Sequence, residues 1–466
     1  MRKSMPHLTP PAFPAIVLAI ALGSPSFLGF AAEPTDFDRL TFHQAPKPLA
    51  DGALTADWPR FLGPEDNCHS PESPLLEDFS SSAPMLVWSV DRGASHTSPV
   101  VAGDRLVMIH ALDGREIIEC LHAESGRRFW KVDYPVTLGQ SYGIRDAPRC
   151  APVIDLESGL VFSLGVKGKL LALQLEDGAQ RWEKTLPAEF GDAPLFFGYG
   201  GSPLIVGDRL IVNTGSDRAG IVALEKTSGK EVWRAPSGWN GSYASPVAGE
   251  VNGKARIFAL AAGMVDPPHG GLLCLDPESG NIDDRVEWRS RMFASVLAAS
   301  PVPAGAGRVF ITEDYGRGGA MIAFDEGFKA SIDWQAPRFG AQFQTPMFHE
   351  GHLYGFTGSS DPGAELVCYD AASGEEKWRE GFAKLNTNIG RTHLLHADGA
   401  FWCVGASGLL VKLDLSPAGA EVIDSVELFQ APETWALPAL SRGLLYVAEN
   451  GMSPKLRCYD LRGASR

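Results

Sequence analysis

The sequence predicts an all-β protein: an eight-bladed β-propeller of four-stranded antiparallel blades, with the ring closed by an N-terminal strand that completes the last blade. Three observations predict it. A unit of four short strands recurs from about Thr97 onward, most copies end on a Trp, and the final copy lacks a strand that an upstream segment can supply. Repeats of this kind form blades that bury their faces against their neighbours.

Each copy of the unit follows the same order of strands and turns. A short strand opens it after a Ser-Pro or similar pair, a second strand follows a tight turn, and a third leads through a Gly-containing turn into the closing strand. In the first copy the landmarks are Ser98-Pro99, Gly103-Asp104, Ser125-Gly126 and Trp130. The predicted closing residues of successive blades are Trp88, Trp130, Trp182, Trp233, Trp288, Trp334, Trp378 and Phe429. Each Trp is interpreted as a wedge between blades, because a bulky ring at one address in every repeat serves packing.

The eighth copy supplies only three strands. It begins at Leu437 and ends near Asp460 without a Trp strand, whereas segment 85–90 carries Trp88 and has no repeat of its own to close. We expect this segment to pair with the third strand of the last copy, because closure leaves no unpaired sheet edge. An open solenoid of strands, the alternative architecture, has no need of this exchange.

Composition and charge exclude several classes of protein. The 466 residues are 44% hydrophobic and 21% charged, which is typical of a globular chain. The net charge of −15, with no Lys/Arg run, argues against nucleic-acid binding. Four of the seven Cys fall in similar contexts and are interpreted as small apolar residues at one repeated strand position rather than as a metal or redox cluster. These four are Cys120, Cys274, Cys368 and Cys458.

The N-terminus predicts export. Residues 1–32 combine Arg2 and Lys3, an apolar stretch and small residues for cleavage near Ala31 or Ala32, as in a signal peptide. A membrane anchor, the alternative, is disfavoured because the apolar core is short and broken by Gly23. Residues 33–84 are then an N-terminal extension and residues 85–466 the propeller. We expect a soluble periplasmic or extracellular protein with no membrane segment after cleavage.

Loop lengths predict which end of the ring is functional. The near face carries the loops between blades and between second and third strands, which are long and aromatic; the far face carries the minimal turns. Residues just before the inner strands should meet at the near-face mouth of the central channel, where they form a candidate ligand site for a small molecule or a protein. The alternative is that they only order their own loops. The candidates are Tyr142, Arg149, Tyr199, Tyr243, Gln344, Arg391 and Trp435.

Motifs for catalysis are missing from the sequence. It contains no phosphate-binding loop, no His-Glu-x-x-His and no Gly-x-Ser-x-Gly elbow. His349 and His352 straddle a predicted tight turn, and His393 and His396 would point to opposite faces of a strand, which is poor for shared metal ligation. No catalytic residue and no metal ligand is therefore assigned.

The repeat core, of the form Ala/Cys-x-Asp-x-x-Ser/Thr-Gly-x-x-x-Trp, resembles the pyrroloquinoline quinone (PQQ) repeat. Segments 58–64 (Trp-Pro-Arg-Phe-Leu-Gly-Pro), 67–70, 197–203 and 351–356 are similar to those of exported PQQ-binding-like propellers of planctomycete-type bacteria. The resemblance runs from about Trp58 to the C-terminus. It implies the eight-bladed fold and says little about activity.

Two better-known relatives show what the resemblance implies. Quinoprotein alcohol dehydrogenases share the fold and oxidise alcohols with PQQ and calcium, whereas the outer-membrane assembly protein BamB binds partners without a cofactor. The chain departs from the dehydrogenases because it has no adjacent Cys pair and no recognisable calcium-ligating acid and amide or catalytic aspartate. It departs from BamB in lacking a lipid-attachment Cys and in its Trp58 segment and long near-face loops.

The function expected from the sequence is therefore a ligand-binding or protein-interaction scaffold that uses its near face. One alternative is a PQQ-dependent oxidoreductase with PQQ near Arg149, Tyr199 and Tyr243. Another is a carbohydrate-active propeller, for which the near-face aromatic residues are the hint.

Overall fold

The computed structural model describes residues 33–141, 144–262, 268–292, 295–360, 363–381, 389–432 and 434–464. The predicted signal peptide, residues 1–32, lies outside this range. The described residues form eight antiparallel blades, seven of four strands and one of five, each running from an inner to an outer strand. The prediction of an all-β, eight-bladed propeller is confirmed.

The first half of the chain forms two leading strands and blades 1 to 4. The leading strands are β1 (Leu40–Phe42) and β2 (Met85–Asp91). Blade 1 contains β3 (Val100–Ala102), β4 (Arg105–Leu112), β5 (Arg115–His122) and β6 (Arg128–Pro135). After the hairpin of β7 (Gln140–Ser141) and β8 (Ile144–Arg145), blade 2 contains β9 (Val153–Asp155), β10 (Leu160–Leu164), β11 (Lys169–Gln174) and β12 (Gln180–Thr185). After the helix α1 (Leu186–Phe190), blade 3 contains β13 (Leu204–Val206), β14 (Arg209–Asn213), β15 (Ile221–Glu225) and β16 (Glu231–Ala235). Blade 4 contains β17 (Val247–Val251), β18 (Lys254–Ala261), β19 (Gly271–Leu275) and β20 (Ile282–Glu287).

The second half forms blades 5 to 8. Blade 5 contains β21 (Val302–Pro303), β22 (Arg308–Glu313), β23 (Gly318–Phe324) and β24 (Ala330–Ala336). Blade 6 contains β25 (Met347–His349), β26 (His352–Phe356), β27 (Glu365–Asp370) and β28 (Glu376–Gly381). Blade 7 contains β29 (Leu395–Ala397), β30 (Ala400–Val404), β31 (Leu409–Ser416) and β32 (Gly419–Glu427). Blade 8 contains β33 (Ala439–Ser441), β34 (Leu444–Glu449) and β35 (Lys455–Asp460), completed by β2 and β1.

Burial follows the position of each strand in its blade. Middle strands are covered on both faces by neighbouring blades and are buried almost throughout: β10 is buried at every residue and β4 at all but its last. Outer strands such as β20 and β32 alternate between partly buried and exposed residues, because one of their faces meets solvent. The core therefore lies between the blades.

The ring closes as the sequence predicts. Strand β2 pairs antiparallel with β35, in a register that runs from Met85 opposite Asp460 to Asp91 opposite Lys455. Strand β1 then adds outside β2, with Leu40 opposite Val90, and makes blade 8 five-stranded. This fifth strand is a difference from the prediction, and it covers the edge that β2 would otherwise present to solvent.

One contact joins most neighbouring blades. The Trp of a blade's fourth strand donates a hydrogen bond from its indole Nε1 to a backbone carbonyl of the next blade; Trp88 donates to Ala123 at 2.9 Å. The indole also covers the turn glycine of that blade, where a Cβ on Gly126 would lie 2.8 Å from Trp88. Six tryptophans make this bond: Trp88, Trp130, Trp182, Trp233, Trp334 and Trp378. The wedge interpretation holds for these six.

The predicted closing residues of blades 4 and 7 are wrong. The position that Trp occupies elsewhere holds Asp284, opposite Cys274, and Asp424, opposite Lys412. Asp284 accepts the backbone N–H of Ala330 at 2.8 Å, so a carboxylate replaces the indole at the blade 4–blade 5 contact. Trp130 follows its turn glycine by four residues, but Trp288 follows Gly280 by eight.

Trp288 and Phe429 take other places in the structure. Trp288 lies beyond the end of β20, buried beneath the guanidinium of Arg317 at 3.4 Å from its ring centroid. Phe429 follows β32 and covers Gly408, whose φ is +99°. The four repeated cysteines do share one register, opposite the closing position, and all seven cysteines are buried free thiols.

The seam, where β2 pairs with β35, offers a direct test of closure. Trp88→Ala is expected to lower the free energy of unfolding by about 3–5 kcal/mol, because it removes a fully buried ring and a blade-to-blade hydrogen bond. Val232→Ala is the matched control, since Val232 is 46% exposed on the outer strand of blade 3. Denaturant unfolding measures both. Equal stability of the two variants would refute closure through β2.

Candidate functional site

The near-face mouth of the channel is built from one repeated backbone position. The residue four places before each inner strand points into the mouth, and all eight of these residues line a single cavity. In blade order they are His96, Arg149, Gly200, Tyr243, Ala298, Phe343, Arg391 and Trp435. We call this set the mouth ring. The repeat fixes the backbone position of each member, whereas the side chain at that position differs from blade to blade.

The cavity inside the mouth ring has a volume of about 550 Å³. That size suits a small organic molecule. Its wall is mostly apolar, and its polar residues include the two arginines, two histidines, three serines, Tyr243, Tyr315 and Gln342. Ile144 and Met292 stand at its edge and are 38% and 51% exposed.

Four of the seven predicted site residues line this cavity: Arg149, Tyr243, Arg391 and Trp435. Tyr199 lies one position before the mouth ring and is instead buried against Gly168. Gln344 lies one position after it, also buried, and its amide donates to the Gly358 carbonyl at 3.0 Å. Tyr142 lies outside the described residues. That any of them binds a ligand stays a prediction.

Sequence reasoning missed several lining residues. His96 and Phe343 belong to the mouth ring, and counting back four residues from every inner strand would have found both. Tyr315 and Phe61 also line the cavity but stand at no repeated address, so no periodic signal marks them. His393 lines it from two places before its inner strand, as Ser202 and Ser245 do in blades 3 and 4.

Arg149 supplies positive charge on the blade 2 side. Its Nη1 donates to the carbonyls of Ala147 at 3.0 Å and Phe197 at 2.8 Å, and its guanidinium lies 5.4 Å from the Phe197 ring centroid. Burial lowers the pKa of Arg149, and Tyr243 and Asp146 counteract part of that effect. A guanidinium in this range remains a cation at neutral pH.

Arg391 lies on the opposite side of the mouth within an aromatic cluster. Its guanidinium stands 5.2 Å from the ring centroids of both Phe343 and Trp435, and its Nη1 donates to the Gln342 side chain. Trp435 also stacks on His96, with centroids 5.9 Å apart and an interplanar angle of 23°. The cluster presents flat rings with a guanidinium held against them.

The histidines of the mouth add no charge at neutral pH. Burial, reinforced by Arg149 and Arg92, lowers the pKa of His96 to about 3. Burial lowers the pKa of His393 to about 4. Burial also raises the pKa of Tyr243 to about 12, so that this hydroxyl stays protonated.

A segment of the N-terminal extension closes the channel beneath the cavity. We call residues 54–76 the plug. Trp58 exchanges two 2.8 Å backbone hydrogen bonds with Val101 of the blade 1 inner strand, and Ile154 of blade 2 donates to Pro59. The plug rises from the far face as far as Phe61, whose ring meets His393 edge-on at 5.8 Å. Phe61 therefore forms part of the cavity floor.

A buried carboxylate holds the C-terminal end of the plug in place. Glu72 is 1% exposed and accepts backbone N–H bonds from Ala56 at 3.0 Å, Gly443 at 2.8 Å and Arg442. These bonds tie the start and end of the plug to the far-face turn of blade 8. The depth of the cavity therefore depends on a contact made at the other face of the ring.

Fold and site together define a class of protein: an eight-bladed propeller of the PQQ-repeat type, with its blades joined by docked tryptophans and its channel mouth lined by loop residues. A family model described as outer membrane protein assembly factor BamB matches residues 114–380, more than half of the chain. The chain belongs to this family.

Relatives within and beyond the family are distant. BamB of Alkalilimnicola ehrlichii is 26% identical over 149 residues, which cover 31% of this chain and 32% of the relative, so the match spans about a third of that protein. The crystal structure of BamB from Moraxella catarrhalis has a TM-score of 0.54 at 17% identity and covers 82% of this chain and 99% of that one.

Two enzymes share the fold to a similar extent. A europium-containing methanol dehydrogenase has a TM-score of 0.58 at 12% identity and covers 87% of this chain and 98% of its own. The quinohemoprotein alcohol dehydrogenase from Comamonas testosteroni has a TM-score of 0.58 at 14% identity and covers 88% of this chain and 81% of its own. At such identities the likeness shows the fold alone.

The PQQ and calcium that the sequence resemblance implies as one alternative do not fit this cavity as a pair. Calcium takes about six to eight oxygen ligands, with carboxylates prominent among them. The described residues that line the cavity include no Asp and no Glu. Nearby acids are engaged elsewhere: Asp146 with Lys167 at 2.6 Å, and Glu313 with Arg289. The wall suits an organic anion better than a hard cation.

The anchor of the plug can be weakened by a substitution at a residue that does not itself line the cavity. Glu72→Gln is expected to lower the free energy of unfolding by about 1–3 kcal/mol, because an amide cannot accept all three backbone N–H bonds. The amides of Trp58 and Val101, which close the plug onto blade 1, should then exchange hydrogen faster in mass spectrometry. Glu65→Gln, at an exposed plug position, is the control. Unchanged exchange in Glu72→Gln would contradict this anchoring role.

Proposed function

We propose that the protein is an exported, non-catalytic propeller that binds a flat organic anion in the near-face cavity. The observation that carries the proposal is the combination of an apolar, aromatic cavity of about 550 Å³ with Arg149 and Arg391 in its wall and no carboxylate among the described lining residues. Guanidinium groups bind carboxylates and related anions through paired N–H donors, and aromatic walls favour planar ligands.

The shape of the wall supports a planar ligand in particular. Gly200 and Ala298 leave space in the mouth ring on the side of blades 3 and 5, while Phe343 and Trp435 present rings 5.5 Å apart on the side of blades 6 and 8. A flat molecule can lie against these rings with its anionic edge toward Arg149. Partly buried Phe197 stands next to that guanidinium and extends the same surface.

Export is part of the proposal. It rests on the charged start, the apolar stretch and the small residues at Ala31 and Ala32. Among the described residues, no helix has the length and apolarity needed to cross a membrane. N-terminal sequencing of protein recovered from the periplasm tests this part.

Binding can be tested with a probe of matched shape. PQQ without calcium is a flat tricarboxylate, and its trimethyl ester has the same ring system without the charges. We expect the acid to quench Trp fluorescence at one site per chain and to bind at least about tenfold more tightly than the ester. Arg149→Gln should lose at least about tenfold in affinity for the acid, since hydrogen bonds to charged groups are worth about 1.5–3 kcal/mol.

Controls separate this proposal from its rivals. Arg218→Gln, an exposed arginine in a near-face loop outside the cavity, should bind PQQ as the wild type does. Equal affinity for acid and ester would refute the anion site. Calcium-dependent oxidation of methanol or ethanol by the PQQ-loaded protein would instead establish a quinoprotein dehydrogenase.

A protein partner at the same face is the second candidate function. Ile144 and Met292 at the cavity edge are exposed, and so is Met452 in the loop between β34 and β35. Exposed apolar side chains at the face that carries a cavity favour protein binding there. The BamB relatives carry the name of an assembly factor, which fits this alternative.

Photo-crosslinking in cells tests the partner hypothesis. A benzophenone side chain in place of Met452 should form a crosslinked adduct with one discrete protein. The same group in place of Val232, exposed on an outer strand, should not. Adducts of equal yield at both positions would show non-specific contact and contradict a near-face partner site.

A further inference from the structure

Three histidines meet at the far face of the ring, outside the near-face cavity. His69 belongs to the plug, His349 ends the inner strand of blade 6, and His396 lies in the inner strand of blade 7. Each offers a ring nitrogen, and these three nitrogens all lie within 4.8 Å of one another. No metal ligand was expected from either His-x-x-His in the sequence, whereas the structure brings together one histidine from each of three separate segments.

Backbone hydrogen bonds fix this meeting point. The His396 N–H donates to the Cys68 carbonyl and the Ser70 N–H donates to the His396 carbonyl, both at 2.9 Å, so the plug runs as a partial strand beside blade 7. His349 is held by its pairing with His352 across the β25–β26 turn. The three side chains are therefore brought together by elements that are themselves anchored.

Ring geometry places the imidazoles in mutual contact. The centroids of His349 and His396 are 4.3 Å apart, and His69 lies 5.2 Å from each. The His69 Nε2 donates to the Phe348 carbonyl at 3.2 Å, a bond of the kind that orients metal-binding histidines. All three side chains are partly exposed, so the cluster can be reached from solvent.

The donor set also suits a metal. Three imidazole nitrogens form a set that zinc binds with a water molecule in the fourth position.

We propose that His69, His349 and His396 form a zinc site that fastens the plug to blades 6 and 7. Tetrahedral zinc with Zn–N bonds of about 2.0–2.1 Å needs nitrogen atoms about 3.3 Å apart. The nitrogens must therefore approach by about 1.5 Å or less, which side-chain rotation supplies. The metal would join three segments that are distant in sequence and would stabilise the channel closure from the far face.

The alternative explanation is aromatic packing without a metal. Phe401 stands edge-on to His349 at 5.2 Å and to His396 at 4.9 Å, so the three rings also form a small aromatic cluster. Packing alone predicts no stoichiometric metal binding and no selective effect of zinc on stability.

Zinc titration of the full mature chain, freed of any affinity tag and of prior metal by chelator, tests the proposal. We expect one zinc ion per chain by calorimetry and a higher Tm when zinc is added, because a ligand that binds the native state stabilises it. His349→Asn and His396→Asn should each lose at least about a hundredfold in zinc affinity. His352→Asn, at the other end of the same turn, should bind as the wild type does.

A second readout avoids dependence on the variants. Cobalt(II) added to the wild-type chain should give the intense visible bands of four-coordinate cobalt, and zinc should displace them. The variants should match the wild type in PQQ binding at the near face, which keeps this result independent of the proposed function. No binding of zinc by the wild type at millimolar concentration, or unchanged affinity in both variants, would overturn the proposal.

Discussion

The pairing of β2 with β35 is the constraint on which the rest of the structure depends. Every blade buries both of its faces only if it has a neighbour on each side, and a ring of eight blades satisfies this only when the two ends of the chain meet in one sheet. Trp88 makes the same contact across this seam, with its indole on Ala123 and Gly126, that other tryptophans make inside the chain. The seam is therefore built like the internal joints.

The joints tolerate a change of chemistry at a fixed position. In blades 4 and 7 a carboxylate stands where the indole stands elsewhere, and each carboxylate accepts a backbone N–H: Asp284 from Ala330, and Asp424 from Phe79. The second of these donors belongs to the N-terminal extension. Where the repeat lacks its Trp in blade 7, the extension supplies part of the contact, and the same extension provides the plug and strand β1.

The candidate site lies where the repeat fixes the position of a residue but not its identity. The mouth ring has one backbone address in eight blades, yet its members range from Gly200 to Arg149 and Trp435. Phe61 of the plug forms part of the cavity floor, and Glu72 anchors the C-terminal end of the plug at the far face. The residues that determine the depth, charge and shape of the cavity therefore belong to different parts of the chain, and only folding of the ring brings them together.

The sequence by itself determined the all-β class, the number of blades and the closing strand, because each of these follows from a periodic pattern or from a strand missing at the C-terminus. It also placed Arg149, Tyr243, Arg391 and Trp435 at the channel mouth, since position before an inner strand can be counted along the chain. It misassigned Tyr199 and Gln344 by one residue, because a shift of one residue in this loop turns a side chain from the cavity into the body of the protein. Only the tertiary structure decided the course of the plug, the replacement of Trp by Asp284 and the meeting of His69 with His349 and His396. These depend on contacts between segments far apart in sequence, and no local periodicity records such contacts.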